Sequence, residues 1–137
     1  MENEKIKVLC IEPDKHPYEK EIDSGLKSLQ HEVGGDIEVV YPFEDSCAII
    51  CAEEGKMLQF DLNRALYDDE GQMYDIVAGT FLIVGLGEED FTSLPPELME
   101  KYEKQFHSPE VFLRMGGQIR AYKTEPEARV GGGREAR

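Results

Sequence analysis

Residues 73–86 read MYDIVAGTFLIVGL, and within them Ile76 to Leu86 is the longest apolar run, broken only by Gly79, Thr80 and Gly85. Aliphatic and β-branched residues without polar alternation describe a strand covered on both faces. Gly79 inside such a run marks a bulge or a close backbone approach. The expectation is one long central strand of a sheet. Eleven residues fall short of the roughly 20 that cross a bilayer, so no membrane span or membrane partner is expected.

Outward from this strand, Ile37–Phe43 (IEVVYPF) and Cys47–Ala52 (CAIICA) read as two strands joined through Glu44-Asp45-Ser46. Glu53-Glu54-Gly55-Lys56 follows as a turn in which Gly55 supplies positive φ, with Met57–Phe60 pairing back. Asp61 to Gly71 is irregular and ends in a turn at Asp68-Asp69-Glu70-Gly71. Lys5–Glu12 alternates, placing Ile6, Val8 and Cys10 opposite Leu9 and Ile11, and stops at Pro13. Tyr18–Ile22 fits a short return strand.

Two helices are expected. Residues 24–33 carry Leu26, Leu29 and Val33 at helical spacing, with Asp23 or Ser24 as N-cap and the Gly34-Gly35 pair as C-cap. Residues 93–106 carry Leu98, Met99, Tyr102 and Phe106 behind Pro95 and Pro96, with Thr92 or Ser93 capping. The fold class is therefore α+β: an antiparallel or mixed sheet of five to six strands with both helices on one face.

The 137 residues form one domain at residues 1–110, and Leu, Ile, Val and Phe make up about a quarter of them, enough for a core. Residues 111–137 read as a mostly flexible basic tail, thin in apolar side chains from Gly116 onward. Charge divides the same way. Residues 1–110 hold 26 acids against 9 bases, and residues 111–137 hold 3 acids against 6 bases. A body so acidic argues against direct nucleic-acid binding and for a basic protein partner.

Cys10, Cys47 and Cys51 behind a charged N-terminal segment suit reduced thiols in a cytoplasm. On a strand Cys47 and Cys51 lie roughly 13 Å apart, too far for a disulfide or a shared zinc, so both read as small core residues. His16, His31 and His107 have no metal-ligand or triad spacing; His31 suits a helix C-terminus, and a Cys–His pair brought together in space is an alternative. Gly85-Leu86-Gly87 resembles a phosphate loop only until Glu88, Glu89 and Asp90 follow, which repel an anion. No cofactor or metal is expected.

Two carboxylate clusters, Asp68-Asp69-Glu70 and Glu88-Glu89-Asp90, read as solvated turns or as contacts for Lys and Arg of a partner. Neither has the alternating pattern of a calcium loop. Arg64 is the only basic residue between Lys56 and Lys101. Next to Asn63, it is expected to pair with Asp61, Asp68 or Asp75 inside the fold, or else to bind an anion.

The succession IEVVYPF, then CAEEGKMLQFDLNRALYDDEGQMYDIVAGTFLIVGLGEEDFTSL, resembles a family of short bacterial proteins classed as a domain of unknown function. The resemblance covers about residues 6–106, most specifically Val33-Gly34-Gly35 with Ile37-Glu38, Asn63-Arg64, and Asp75 through Phe91. It implies a setting on phages and conjugative elements of Gram-positive bacteria and a cytoplasmic site of action, and carries no catalytic residues. The functional expectation is a non-enzymatic protein-interaction module. Its acidic surface would imitate DNA toward a host DNA-binding or defence protein. The alternatives are a small enzyme or ligand-binding domain using Arg64 with carboxylates or a thiol, and a homodimer joined at a strand edge.

Overall fold

The computed structural model describes residues 4–126. In chain order the elements are β1 (Lys5–Ile11), β2 (Tyr18–Asp23), α1 (Leu26–Val33), β3 (Ile37–Val40), β4 (Cys47–Ala52), β5 (Leu62–Tyr67), β6 (Met73–Ala78), β7 (Phe81–Leu86), β8 (Phe91–Thr92), α2 (Pro96–Gln105), β9 (Glu110–Met115) and β10 (Gln118–Lys123). The main sheet runs β2-β1-β7-β4-β3, with β8 also on β7, and every pairing is antiparallel. β5–β6 and β9–β10 are separate two-stranded ribbons. The α+β class with a five- to six-stranded sheet is as expected.

β1, β4 and β7 are buried along almost their whole lengths because the sheet has two cores. Leu9, Ile11, Cys47, Ile49, Cys51, Phe81 and Ile83 point into one, which Tyr102 and Phe106 of the α2 segment close together with Leu66 of β5 and Val77 of β6. Ile6, Val8, Cys10, Ala48, Ile50, Leu82 and Val84 point into the other, closed by Leu29 and Val33 of α1. The helices thus cover opposite faces, not one. Uninterrupted apolar runs such as CAIICA follow from this, since period-two alternation requires one wet face.

The long run of residues 73–86 is not one strand. Gly79 turns the chain at φ +82°, so that β6 pairs only with β5 and β7 takes the centre of the main sheet. The close approach expected at Gly79 is present: a Cβ there would come within 2.7 Å of the Phe60 ring. Phe60 packs against the α1-side core instead of pairing back, and Leu62–Tyr67, expected to be irregular, is strand β5. Positive φ after β4 falls on Gln59, not Gly55. Asp68–Gly71 forms the β5–β6 turn as expected, closed by the Gly71 N–H to the Asp68 carbonyl.

The caps also differ. Gly25 stands at the N-cap of α1 with no side-chain hydrogen bond, and Gly34 ends it in the left-handed region. Pro95 is the N-cap of α2 with Pro96 in its first turn, where a missing N–H costs nothing. Ser93 accepts the Lys7 N–H on Oγ at 2.9 Å, and the Leu94 N–H donates to the Lys7 carbonyl, so the lead-in to α2 is latched to β1.

The basic segment does not begin as a flexible tail. Residues 110–123 form the β9–β10 hairpin in full register from Glu110↔Lys123 to Met115↔Gln118, turned by Gly116 and Gly117 at positive φ. Alternating Val111, Leu113, Met115 and Ile119, Ala121 supply the strand pattern on either side of the glycine pair. Residues 127–137 of the expected tail lie outside the described part.

Candidate functional site

The most constrained polar group in the fold is built on a β-bulge. Pairing of β5 with β6 shifts register between Leu62 and Arg64, so Asn63 is the extra residue and both it and Arg64 turn inward. Both are buried, Arg64 completely. Its Nε and Nη2 donate to the Phe106 carbonyl at 3.0 and 2.8 Å, and Nη2 also reaches the Lys15 carbonyl at 2.8 Å. Nη1 donates to Asn63 Oδ1 at 2.8 Å and to the Asn63 carbonyl at 3.4 Å. Asn63 Nδ2 in turn donates to the Ile11 and Gly79 carbonyls at 2.9 and 2.8 Å.

These bonds engage all five guanidinium N–H groups. They tie together the end of β1, the β1–β2 turn, the β6–β7 turn and the C-cap of α2. Phe106 ends that helix, where unpaired carbonyls and the negative end of the dipole favour a cation. The expected carboxylate partner is absent: among the described residues Arg64 forms no ion pair, while Asp75 pairs with Lys56 at 2.7 Å. Neutral carbonyls take all the hydrogen bonds, and the negative potential comes from the α2 terminus and from the nearby Glu110 carboxylate, which favours the cation against burial. With every donor spent inward, Arg64 offers an anion nothing.

Beside this node, Glu110 accepts the Ala65 N–H on Oε1 at 3.0 Å, capping the free edge of β5 and fixing the base of the β9–β10 hairpin. Burial pushes its carboxyl above the ordinary range, against the pull of that hydrogen bond and of Arg64. His16 and His107 stack with ring centres 4.1 Å apart. His16 Nδ1 lies 2.8 Å from the His107 carbonyl, and His107 Nδ1 lies 2.8 Å from Glu103. Parallel rings aim their ring nitrogens side by side, not at one point, and no metal-holding cluster occurs among the described residues.

The thiols are free and buried. Cys47 and Cys51 share the α2-side core and Cys10 the other, as their strand parity dictates. Burial raises all three above the usual thiol value, Cys51 to about 11, so they stay protonated at neutral pH. A cleft of about 150 Å³ brings Cys51, Lys56 and Asp75 together with Glu38; Arg64 is not in it.

Both carboxylate clusters stand exposed at turn tips, Asp68–Glu70 between β5 and β6 and Glu88–Asp90 between β7 and β8. The two belong to different sheets, and no hydrogen bond or ion pair joins them among the described residues. Asp68 Oδ1 accepts the Glu70 and Gln72 N–H groups, each at 2.9 Å, so it shapes its own turn. The Glu88–Asp90 turn is closed by the Gly87 N–H to the Asp90 carbonyl. Among the described residues none of the six has a cation within ion-pair distance. Lys5, Lys7, Lys15, Lys20, Lys56, Lys101 and Lys104 instead pair with Asp23, Glu19, Glu12, Glu32, Asp75, Asp45 and Glu100.

One feature escaped the sequence reading. A groove of about 600 Å³ opens between β2 and α2, floored by Leu9, Leu94, Pro96 and Met99 and edged by Glu19, Glu100 and Glu103. Its parts are far apart in the chain, and the latch of Lys7 to Ser93 and Leu94, with the core packing of α2, brings them together.

The profile of a family described as a domain of unknown function, DUF3846, matches residues 6–107. The chain belongs to the DUF3846 family. The matched segment of this DUF3846 domain runs from β1 to the residue after Phe106, so it holds the main sheet, both helices, the β5–β6 ribbon and the Asn63–Arg64 node. The β9–β10 hairpin follows it. No curated protein matches the chain, and no solved structure does.

Proposed function

We propose that the protein is a non-enzymatic interaction module whose acidic surface takes a basic protein partner. The observation that carries the reading is the distribution of charge pairing. Seven lysines of the body are engaged with neighbouring carboxylates, Arg64 is sealed inside, and among the described residues the six carboxylates of the two turn tips have no cation beside them. The uncompensated charge of the body therefore sits at exposed positions, where it attracts an oppositely charged surface. Arg64, on which the ligand-binding alternative depended, spends its donors on the Phe106 and Lys15 carbonyls and on Asn63.

In its finer form the proposal is that the module belongs to a phage or conjugative element of a Gram-positive bacterium and works in the cytoplasm. There its carboxylates stand in for phosphates toward a host DNA-binding or defence protein, whose groove is basic. The test is capture from host lysate at low and high salt, with duplex DNA as competitor. A DNA-binding protein that is retained at low salt, released at high salt and competed by DNA supports the reading. Retention that persists after Glu88, Glu89 and Asp90 are changed to Lys removes that turn as the contact. Absence of any specific capture overturns the proposal.

A further inference from the structure

Directly opposed pairs in the β9–β10 register share a face. Val111↔Tyr122, Leu113↔Arg120 and Met115↔Gln118 therefore lie on one side of the hairpin. Val111, Leu113, Met115 and Tyr122 are each 43 to 50% exposed. They form a compact apolar patch whose one charge is Arg120, since the Glu110 carboxylate is turned to β5. A lone two-stranded ribbon with a bare apolar face is marginally stable, and such a patch marks a contact surface.

The groove between β2 and α2 has the complementary character. Its floor is Leu9, Leu94, Pro96 and Met99, and its lining carries three glutamates to one lysine, Lys7; Glu19 lies 3.9 Å from Lys7, Glu100 3.5 Å from Lys104 and Glu103 2.8 Å from His107, so the rim is only modestly negative. Plug and socket are thus apolar at the centre and opposite in charge at the edge, and both belong to this chain.

We propose that the hairpin of one copy docks in the β2–α2 groove of a second copy, and that the exchange is reciprocal, giving a closed two-fold dimer. Charge complementarity selects a second copy over stacking hairpin on hairpin, which would bring two Arg120 side chains together. Reciprocity buries the contact twice, which moves a hairpin-sized footprint toward the roughly 1,200–2,000 Å² of a specific interface. This is independent of the host partner proposed above, because it uses neither acidic turn tip.

The test is sedimentation of the full chain from micromolar to near-millimolar concentration, at low and high salt. A monomer–dimer equilibrium is expected at both salt concentrations, because the contact is apolar at its centre and salt also screens the repulsion between two chains of net charge −14. Leu113→Glu weakens it by about tenfold or more, as loss of an apolar anchor does. Arg120→Glu alone, and Glu19→Lys with Glu100→Lys, each weaken self-association. Mixing these last two chains restores a dimer, since in the mixed pair each plug meets a socket of opposite sign. All these positions are exposed, and circular dichroism checks that the fold persists. A monomer at every concentration, a dimer indifferent to these substitutions, mixing that restores nothing, or open-ended polymers would each overturn the proposal.

Discussion

At the scale of single residues, Arg64 shows how a buried cation can be held by carbonyls, with its nearest carboxylate, Glu110, acting only at a distance. Five donors meet oxygens of Phe106, Lys15 and Asn63, and a helix C-terminus adds negative potential. Arg64→Lys keeps the charge but offers three donors in place of a planar fork. We expect it to cost about 3 kcal/mol or more in urea unfolding, by analogy with broken buried charge networks. Asn63→Asp replaces a two-bond donor with a carboxylate facing the Ile11 and Gly79 carbonyls, and should destabilise more than Asn63→Ala in the same assay. Glu110 titrates in the opposite sense to a paired acid. Its folded value is raised, so it binds a proton more readily folded than unfolded, and its contribution to stability falls as pH rises through and above the ordinary carboxylate range. Glu110→Gln keeps an acceptor for the Ala65 N–H without the desolvated charge. The variant should be more stable than the parent at pH 7, with the gap closing below about pH 4.5.

At the scale of elements, the turn between β6 and β7 decides which strand joins which sheet. Gly79 combines φ +82° with a Cβ position 2.7 Å from Phe60, whereas Gly71 has φ +80° and open space around it. Gly79→Ala should therefore lower stability more than Gly71→Ala, by about 1 kcal/mol or more beyond the left-handed cost of about 1–2 kcal/mol that both share; paired thermal melts measure the difference. Helix α2 is held from its buried face by Tyr102, whose hydroxyl donates to Asp45 at 2.7 Å while Lys101 binds the same oxygen. Those bonds hold the Asp45 carboxyl below its usual range, so this support is present above the ordinary aspartate value and is lost as pH falls through the lowered one. Tyr102→Phe should cost about 1 kcal/mol at pH 7.

Legibility differed among elements. β1, β2, β3, β4 and the two helices were readable because each carries its own periodicity or turn signal over a few residues. β5 was not, since the bulge turns both Asn63 and Arg64 inward while β9 covers the strand beside Ala65, so Asn63 to Leu66 are all buried and no alternation remains. The β9–β10 hairpin carries local alternation up to its Gly116-Gly117 turn, but its anchoring to β5 through Glu110 has no local signal. The acidic turns were visible as sequence; the β2–α2 groove was not.

At the scale of the whole molecule, a net charge of −14 makes self-repulsion a general term in stability. Raising salt should therefore stabilise the fold while weakening capture of a basic partner, two opposite responses of one molecule that unfolding and binding measurements separate. Residue type and local order by themselves determined that the chain folds, that its body is acidic and its C-terminal part basic, and that strands and two amphipathic helices build it. These depend on residue type and short-range spacing. Tertiary structure alone decided that the helices cover opposite faces, that residues 73–86 divide between two sheets, and that Arg64 pairs with carbonyls instead of carboxylates. Each of these depends on which distant segments meet, and a hydrogen-bond donor or an apolar face accepts any suitable partner that the chain's path delivers to it.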